Sequence, residues 1–148
     1  MKISVIIPAF NESGNIIPLA TKLNEVLSEY PNREILFIDD GSTDDSLQIL
    51  HQLHQQDNRI GYISFSRNFG HQHALRCGID HADGDCVISL DADLQHPPEL
   101  IPEMIKKWQE GFDIVYTQRT EEQGIGGFKK ITSTLFYKLM NNLSDVPI

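Results

Sequence analysis

Short apolar runs alternate with helical patterns along this chain, and this alternation restricts its fold more than any other sequence feature. Four runs predict strands and a fifth does so more weakly, at residues 3–7, 35–38, 60–65, 86–90 and 114–116. Apolar spacings of three or four predict helices around Ile16 to Tyr30, Leu47 to Leu53, residues 71–82, and Ile101 to Trp108. Alternating strands and helices predict an α/β fold, with a mostly parallel sheet covered by helices on both faces.

A polar cluster follows each predicted strand, at the point where the chain leaves the sheet. These clusters occupy residues 8–12, 39–42, 66–68, 91–93 and 117–119. In parallel α/β sheets, ligands bind in the crevice at the carboxyl ends of the strands. The sequence therefore predicts one site that is assembled from several loops at this edge.

Asp91 and Asp93 stand one residue apart, directly after the apolar run 86–90. Two carboxylates so close repel each other unless a cation lies between them. Mg²⁺ and Mn²⁺ favour oxygen ligands, and Mg²⁺ commonly takes one or two carboxylates and leaves its other positions to water and substrate phosphates. We therefore predict a divalent metal site for a phosphorylated ligand, with a solvent-exposed acidic turn as the alternative.

The composition indicates one domain over residues 1–148, and its charge disfavours some partners. With 12 basic and 21 acidic residues, the net charge of −9 argues against nonspecific binding to nucleic acid or anionic lipid. Cys77 and Cys86 lack metal-ligand spacing, so we expect free thiols in a reducing compartment. We expect neither a signal peptide nor a membrane-spanning helix, which needs roughly 20 apolar residues.

Five stretches together resemble the family 2 glycosyltransferases, most of all the branch acting on polyprenyl phosphates, which includes dolichyl-phosphate mannose synthase. They are ISVIIPAFNESGNI, LFIDDGSTDDS, FSRNFGHQHAL, ISLDADLQHPPELIPEM and RTEEQG…KKITSTLFYKLMN. The resemblance covers nearly the whole chain. It implies the GT-A fold, a Rossmann-like nucleotide-binding sheet, and a glycosyltransferase that depends on Mg²⁺ or Mn²⁺.

The resemblance also implies roles for individual residues. Contacts to the nucleotide are implied for Pro8, Ala9, Asn11, Glu12, Asp39, Asp40 and Ser42, with Asp39 on the base. Contacts to the metal on the donor diphosphate are implied for Asp91, Asp93 and Gln95. Contacts to phosphate groups are implied for Arg119, Lys129 and Lys130. Of these residues, Asp93 and Arg119 are the ones implied to act in catalysis.

The implied reaction is an inverting transfer of a sugar from a UDP- or GDP-sugar to a polyprenyl phosphate, on the cytoplasmic face of the plasma membrane. The metal would stabilise the charge that develops on the leaving diphosphate. A phosphate acceptor is largely ionised near neutral pH, so it needs a general base less than a hydroxyl does. Arg119 and Lys129 or Lys130 would reduce the repulsion between the anionic donor and acceptor.

Members of this branch continue beyond the point that matches Ile148, with an acceptor motif and usually transmembrane helices. We therefore expect a donor-binding half whose membrane attachment lies in a further C-terminal region. An apolar face is expected either to pack in the core or to contact a membrane surface or a second copy of the chain; it comprises Phe128, Ile131, Leu135 and Leu139.

Other functions stay open at this point. A non-catalytic module that binds nucleotide-sugars is the main alternative to an enzyme, and a saccharide is the alternative acceptor. A haloacid dehalogenase-like phosphatase is disfavoured because Leu94 and Gln95 follow the acidic pair where that class has Gly-Thr. A nucleotidyl transferase is disfavoured because residues 8–12 lack a glycine-rich, lysine-bearing loop. His71 and His73 lack the nearby thiolates of a zinc site.

Several residues also have structural alternatives. Asn11 and Glu12 either contact the nucleotide or cap the first helix. Ser42 and Asp45 resemble a capping box for the second helix. His96 lies either near the metal or exposed at the surface.

Overall fold

A four-stranded parallel sheet organises the part of the chain that the computed structural model describes, residues 1–118. The strands are Ile3–Ala9 (β1), Arg33–Asp39 (β2), Ile60–Ser64 (β3) and Cys86–Ser89 (β4). The helices are Ile16–Val26 (α1), Ser46–Gln56 (α2), His71–His81 (α3) and Ile101–Gln109 (α4), with a 3₁₀ turn at Pro98–Leu100 before α4. The first four predicted strands and all four predicted helices are confirmed.

The strand order β3-β2-β1-β4 places β1 inside the sheet. β1 pairs in parallel with β2 along its whole length, from Ile3 to Ala9. It also pairs in parallel with β4, from Ile3 opposite Cys86 to Ile6 opposite Ser89. All seven residues of β1 are buried. A continuous apolar run is typical of a parallel strand that is covered on both faces, so the predicted α/β architecture is confirmed.

Strand side chains alternate in direction, so β1 presents apolar side chains to both faces of the sheet. Helices cover both of these faces. Ile3, Val5 and Ile7 belong to a core cluster that includes buried residues of α1, α2 and α4. Ile6 points to the opposite face, where α3 packs. A Cβ atom at Gly78 of α3 would lie only 3.1 Å from the Ile6 Cβ, so the absence of a side chain there lets α3 approach the sheet closely.

The first helix begins at Ile16, as its apolar spacing predicts, but it ends at Val26 and not at Tyr30. Its buried residues follow the helical period and are Ile16, Leu19, Ala20 and Leu23. Leu27 is also buried but lies just beyond the helix, and Tyr30 follows in the turn that leads to β2. The Arg33 guanidinium donates to the Tyr30 carbonyl at 3.0 Å, which closes this turn.

The weak fifth strand predicted at 114–116 is wrong. Residues 114–116 form no strand, and the Ile114 side chain is 81% exposed. Within residues 1–118, no strand pairs with the outer edge of β4. A strand needs a partner for its backbone N–H and C=O groups, and a three-residue apolar run carries no information about that partner.

Some predictions lie outside the described residues: those for Arg119, Lys129 and Lys130 and for the apolar face that begins at Phe128. The single domain over residues 1–148 stays a prediction. Within residues 1–118, no helix has both the length and the apolar character needed to cross a bilayer.

Candidate functional site

An open cleft of about 310 Å³ lies beyond the carboxyl ends of β1, β2 and β4, at the predicted edge of the sheet. The residues predicted for the site that line it are Pro8, Ala9, Glu12, Asp40, Asp91 and Asp93. Five residues that were given no individual role also line it: Phe10, Asn68 and Ala92 from the predicted loops, and His71 and Ala74 from the third helix. The volume is at the lower end of the range for small-molecule sites. We call it the carboxyl-edge cleft.

Asn11 joins two loops and does not line the carboxyl-edge cleft. Its backbone N–H donates to Ser42 Oγ at 2.9 Å, and its Oδ1 accepts from the Thr43 N–H at 2.8 Å. Its φ of 57° is left-handed, a conformation that asparagine tolerates better than most residues. Asn15, not Asn11, is the N-cap of α1. Asn11 and Ser42 therefore hold the loop after β1 against the loop after β2.

Asp44 and Ser46 add further bonds between the same loops. The Ser13 N–H donates to Asp44 Oδ2 at 3.2 Å, and the Glu12 N–H donates to Ser46 Oγ at 2.9 Å. The Ser46 N–H donates to Asp44 Oδ1 at 3.0 Å. The capping box predicted from Ser42 and Asp45 is wrong, because Asp45 is the N-cap of α2 and makes no side-chain cap bond. Side-chain oxygens of Ser42, Asp44 and Ser46 accept hydrogen bonds from the loop after β1. Capping rules consider only bonds within the start of a helix, so they do not predict these contacts.

The Asp44 cross-links predict an acid-dependent loss of stability. Partial burial alone would raise the pKa of Asp44, but hydrogen bonds from Ser46 and Ser13 outweigh it and lower the pKa from 3.8 to about 2. A carboxyl group with a depressed pKa in the folded state stabilises the fold above its unfolded pKa, and this contribution disappears as the pH falls towards the folded pKa. We expect wild type to exceed Asp44→Asn in urea midpoint at pH 6, with the gap narrowing between about pH 4 and pH 2.

The matched control for this measurement is Asp45→Asn, which removes the same charge from the next residue but no side-chain cap bond. It should change the urea midpoint little at pH 6. A constant gap between wild type and Asp44→Asn across the whole pH range would contradict the assignment.

Asp39 is buried at the end of β2. It is 1% exposed. Its Oδ1 accepts from the Ser42 N–H at 3.1 Å, and its Oδ2 accepts from Ser64 Oγ at 2.7 Å. Both oxygens therefore stabilise the ends of β2 and β3, and Asp39 is not among the residues that line the carboxyl-edge cleft.

Asp40 lines the carboxyl-edge cleft and also fixes the loop before α3. It is 3% exposed, and its two oxygens accept from the Phe69 N–H at 2.7 Å and the Gly70 N–H at 2.9 Å. Of the two adjacent aspartates, Asp40 is among the residues that line the cleft and Asp39 is not, whereas the family resemblance singled out Asp39 for the base.

Gly41 permits a close approach between the loops after β2 and β3. Its φ is +70°, and a Cβ atom there would lie 2.4 Å from the Arg67 carbonyl carbon. The Arg67 guanidinium lies 4.4 Å from the centroid of the Phe69 ring, a cation–π contact. Glycine at this position therefore lets the two loops meet beside Asp40.

Asp91 projects into the carboxyl-edge cleft between two imidazoles. Its side chain is 47% exposed. His71 Nε2 lies 3.8 Å from Asp91 Oδ1, and His96 Nδ1 lies 3.7 Å from Asp91 Oδ2. His71 begins α3, so it reaches the same edge of the sheet as Asp91. Its place at the start of a helix that follows β3 was the available sequence signal.

Asp93 also faces the carboxyl-edge cleft, and its loop has an unusual backbone. Asp93 Oδ1 accepts from the Gln95 N–H at 3.0 Å, which closes a tight turn. Leu94, between them, has a φ of 60°, a left-handed conformation that is uncommon for a bulky residue and often occurs at functional sites. Gln95, predicted as a metal-proximal residue, is not among the residues that line the cleft.

The carboxylates in the cleft suit a hard divalent cation. Within residues 1–118, no group of three or more His, Cys, Asp and Glu side chains is arranged to hold a metal. Mg²⁺ needs only one or two protein carboxylates when water and substrate phosphates supply the other oxygens. Asp91 and Asp93 are therefore the residues that fit Mg²⁺ or Mn²⁺, together with a phosphorylated ligand.

Comparisons with known proteins show what this chain is similar to. The chain is 45% identical, over 98% of its length, to the uncharacterized glycosyltransferase YkcC of Bacillus subtilis (strain 168), of which it covers 45%. It is 43% identical, over its whole length, to the bactoprenol glucosyl transferase of Shigella phage SfV, of which it covers 48%. The chain thus spans about half the length of the curated relatives it matches.

A solved structure agrees with this relationship. The mannosyltransferase PcManGT from Pyrobaculum calidifontis, in complex with GDP-Man and Mn²⁺, superposes with a TM-score of 0.64 at 25% identity, over 76% of this chain and 33% of that one. The fold is therefore that of the GT-A glycosyltransferases, as predicted. Residues 4–146 match the family described as glycosyl transferase family 2, and the chain belongs to that family.

Proposed function

We propose that this chain binds a nucleotide-sugar and a divalent metal in the carboxyl-edge cleft, as the donor-binding part of an inverting glycosyltransferase whose acceptor is a polyprenyl phosphate. The observation that carries the proposal is the placement of Asp91 and Asp93 with Asp40 around one cleft at the carboxyl edge of the sheet. The bactoprenol glucosyl transferase relative supports the acceptor. The mannosyltransferase complex with GDP-Man and Mn²⁺ supports the donor and the metal.

In this proposal the cleft residues divide between metal and nucleotide. Asp91 and Asp93 would hold Mg²⁺ or Mn²⁺, which when bound would stabilise the leaving diphosphate as a Lewis acid. The nucleotide would contact Pro8, Ala9, Glu12 and Asp40. Asn11, Asp39 and Ser42 would act on the same ligand by holding the loops that surround it, and Gln95 by closing the Asp93 turn.

Further parts of the proposal concern the acceptor. Arg119, Lys129 and Lys130 would contact phosphate groups, and Arg119 would lower the repulsion between donor and acceptor. The reaction would take place on the cytoplasmic face of the plasma membrane, where a further C-terminal region would attach the protein. The net charge of −9 supports a metal-bridged nucleotide over a nucleic acid partner.

A thermal-shift panel tests the donor half. UDP-glucose, UDP-N-acetylglucosamine and GDP-mannose are each added with and without Mn²⁺. We expect one nucleotide class to raise the Tm, and to do so mainly with Mn²⁺; a ligand at 100 times its Kd stabilises the folded state by about 2.7 kcal/mol. The matched control is the corresponding nucleoside monophosphate, which lacks the diphosphate and should gain little from Mn²⁺. Equal Tm values under all conditions would contradict the proposal.

A second function, binding of nucleotide-sugars without catalysis, is supported by the cleft residues, which account for donor and metal binding alone. Transfer of radiolabelled sugar to undecaprenyl phosphate in detergent separates the two functions. Labelled lipid that forms only with Mn²⁺ would support the enzyme. Metal-dependent donor binding without labelled lipid would support the binding module.

A further inference from the structure

His71 and His96 approach the Asp91 carboxylate from different elements and at different oxygens. His71 Nε2 faces Oδ1 from the first residue of α3, and His96 Nδ1 faces Oδ2 from the loop before the 3₁₀ turn. Both distances are roughly 1 Å longer than a hydrogen bond. Polar contacts in ligand-free sites are often long and shorten when the ligand binds. Each of the two imidazoles is therefore placed to bond one oxygen of the Asp91 carboxylate after a small movement.

The surroundings of His96 Nδ1 also point to a bond with Asp91. This atom is buried from solvent and has no hydrogen-bond partner among residues 1–118, although the His96 side chain as a whole is 41% exposed. A buried polar atom without a partner is unfavourable. A small movement towards Asp91 Oδ2, 3.7 Å away, would give the atom its missing partner.

We propose that His71 and His96 are positioning residues that orient Asp91 for the divalent metal. The proposal rests on the proposed function, because Asp91 needs this orientation only as a metal ligand. Each carboxylate oxygen has about two lone pairs. One on each oxygen can accept an imidazole N–H, and the other stays available to a cation. Hydrogen bonds of this kind to ligating carboxylates commonly change metal affinity about 10- to 100-fold.

The ring nitrogen that faces Asp91 differs between the two histidines, which allows an atom-specific test. The amide nitrogen of glutamine can replace Nε2, and that of asparagine can replace Nδ1. We expect His71→Ala and His96→Ala each to weaken Mn²⁺ binding about 10-fold or more in the presence of the nucleotide selected by the panel. At position 71, Gln should restore affinity better than Asn. At position 96, Asn should restore it better than Gln.

The measurement is the Mn²⁺ dissociation constant, from the electron paramagnetic resonance signal of free Mn²⁺, with the unfolding midpoint of each variant recorded beside it. Nucleotide affinity without metal should change little in the two alanine variants. The matched control is His73→Ala, which removes an exposed imidazole two residues along α3, outside the cleft. It should leave Mn²⁺ affinity unchanged.

Three outcomes would overturn the inference. They are an unchanged Mn²⁺ affinity in both alanine variants, an equal loss of nucleotide affinity with and without Mn²⁺, or an equal Mn²⁺ affinity of the Asn and Gln variants at both positions. In each case a wild-type protein that binds Mn²⁺ with the nucleotide would leave the proposed function standing. A wild-type protein that binds neither would overturn the proposed function, and the inference with it.

Discussion

Replacing Gly41 with alanine is expected to lower the free energy of unfolding by about 3 kcal/mol, the combined effect of a left-handed alanine (about 1–2 kcal/mol) and of overpacking (about 1–3 kcal/mol). The φ of +70° is unfavourable for any residue with a Cβ. That Cβ would lie 2.4, 2.6 and 2.8 Å from the carbonyl carbon, Cα and oxygen of Arg67. All three are backbone atoms, so the clash can be relieved only by moving the loop that Asp40 holds.

Urea unfolding, monitored by circular dichroism, measures this effect. The matched control is Gly14→Ala, because a Cβ at Gly14 would meet no atom of residues 1–118 within 4 Å. It should change the free energy of unfolding by less than about 1 kcal/mol. Equal effects of the two substitutions would show that the loops after β2 and β3 do not meet at Gly41. Gly41→Ala should also weaken nucleotide binding, because the displaced loop borders the carboxyl-edge cleft.

Replacing Asp91 or Asp93 with asparagine is expected to reduce nucleotide affinity in the presence of Mn²⁺ on the order of 100-fold, equivalent to about 2.7 kcal/mol. The neutral amide preserves the shape of the side chain but removes the charge that holds the cation. Without metal the sign should reverse. The carboxylate then repels the diphosphate, so the asparagine variants should bind the nucleotide as well as wild type or slightly better.

Isothermal titration with the selected nucleotide measures the nucleotide affinity in both conditions, once with Mn²⁺ and once with a chelator. Asp80→Asn is the matched control, since it neutralises an exposed carboxylate on α3 that pairs with Arg76 outside the cleft. It should change neither value much. Undiminished affinity and an undiminished Mn²⁺ requirement in the Asp91 and Asp93 variants would contradict the metal site.

The sheet could be predicted because each strand contains a short apolar run that is read within a few residues of the chain. β1 is buried at every position, and its sequence is apolar except for Ser4, as expected for a parallel strand covered on both faces. The run at 114–116 is apolar too, but a strand also depends on a partner that is distant in the chain. Hydrophobic periodicity contains no information about that partner, and the prediction of a fifth strand failed for this reason.

The site could be predicted at the level of loops, because the carboxyl ends of parallel strands share one edge. The different roles of two neighbouring side chains could not be predicted. Asp39 and Asp40 are adjacent and chemically identical, yet their hydrogen-bond partners, Ser64 and the Phe69 N–H, lie 25 and 29 residues further along the chain. Asn11 similarly meets Ser42 and Thr43 across 31 and 32 residues. These contacts exist only after the fold has brought the loops together.

The cross-links between residues 11–13 and 42–46 have a consequence for chimeras of this protein with its relatives. Each loop supplies hydrogen-bond partners to the other, through Asn11 with Thr43 and through Ser13 with Asp44. A chimera with one loop from this protein and the other from a relative would combine hydrogen-bond donors and acceptors that do not match. The two segments should therefore be exchanged together in any chimera that is designed to change ligand specificity.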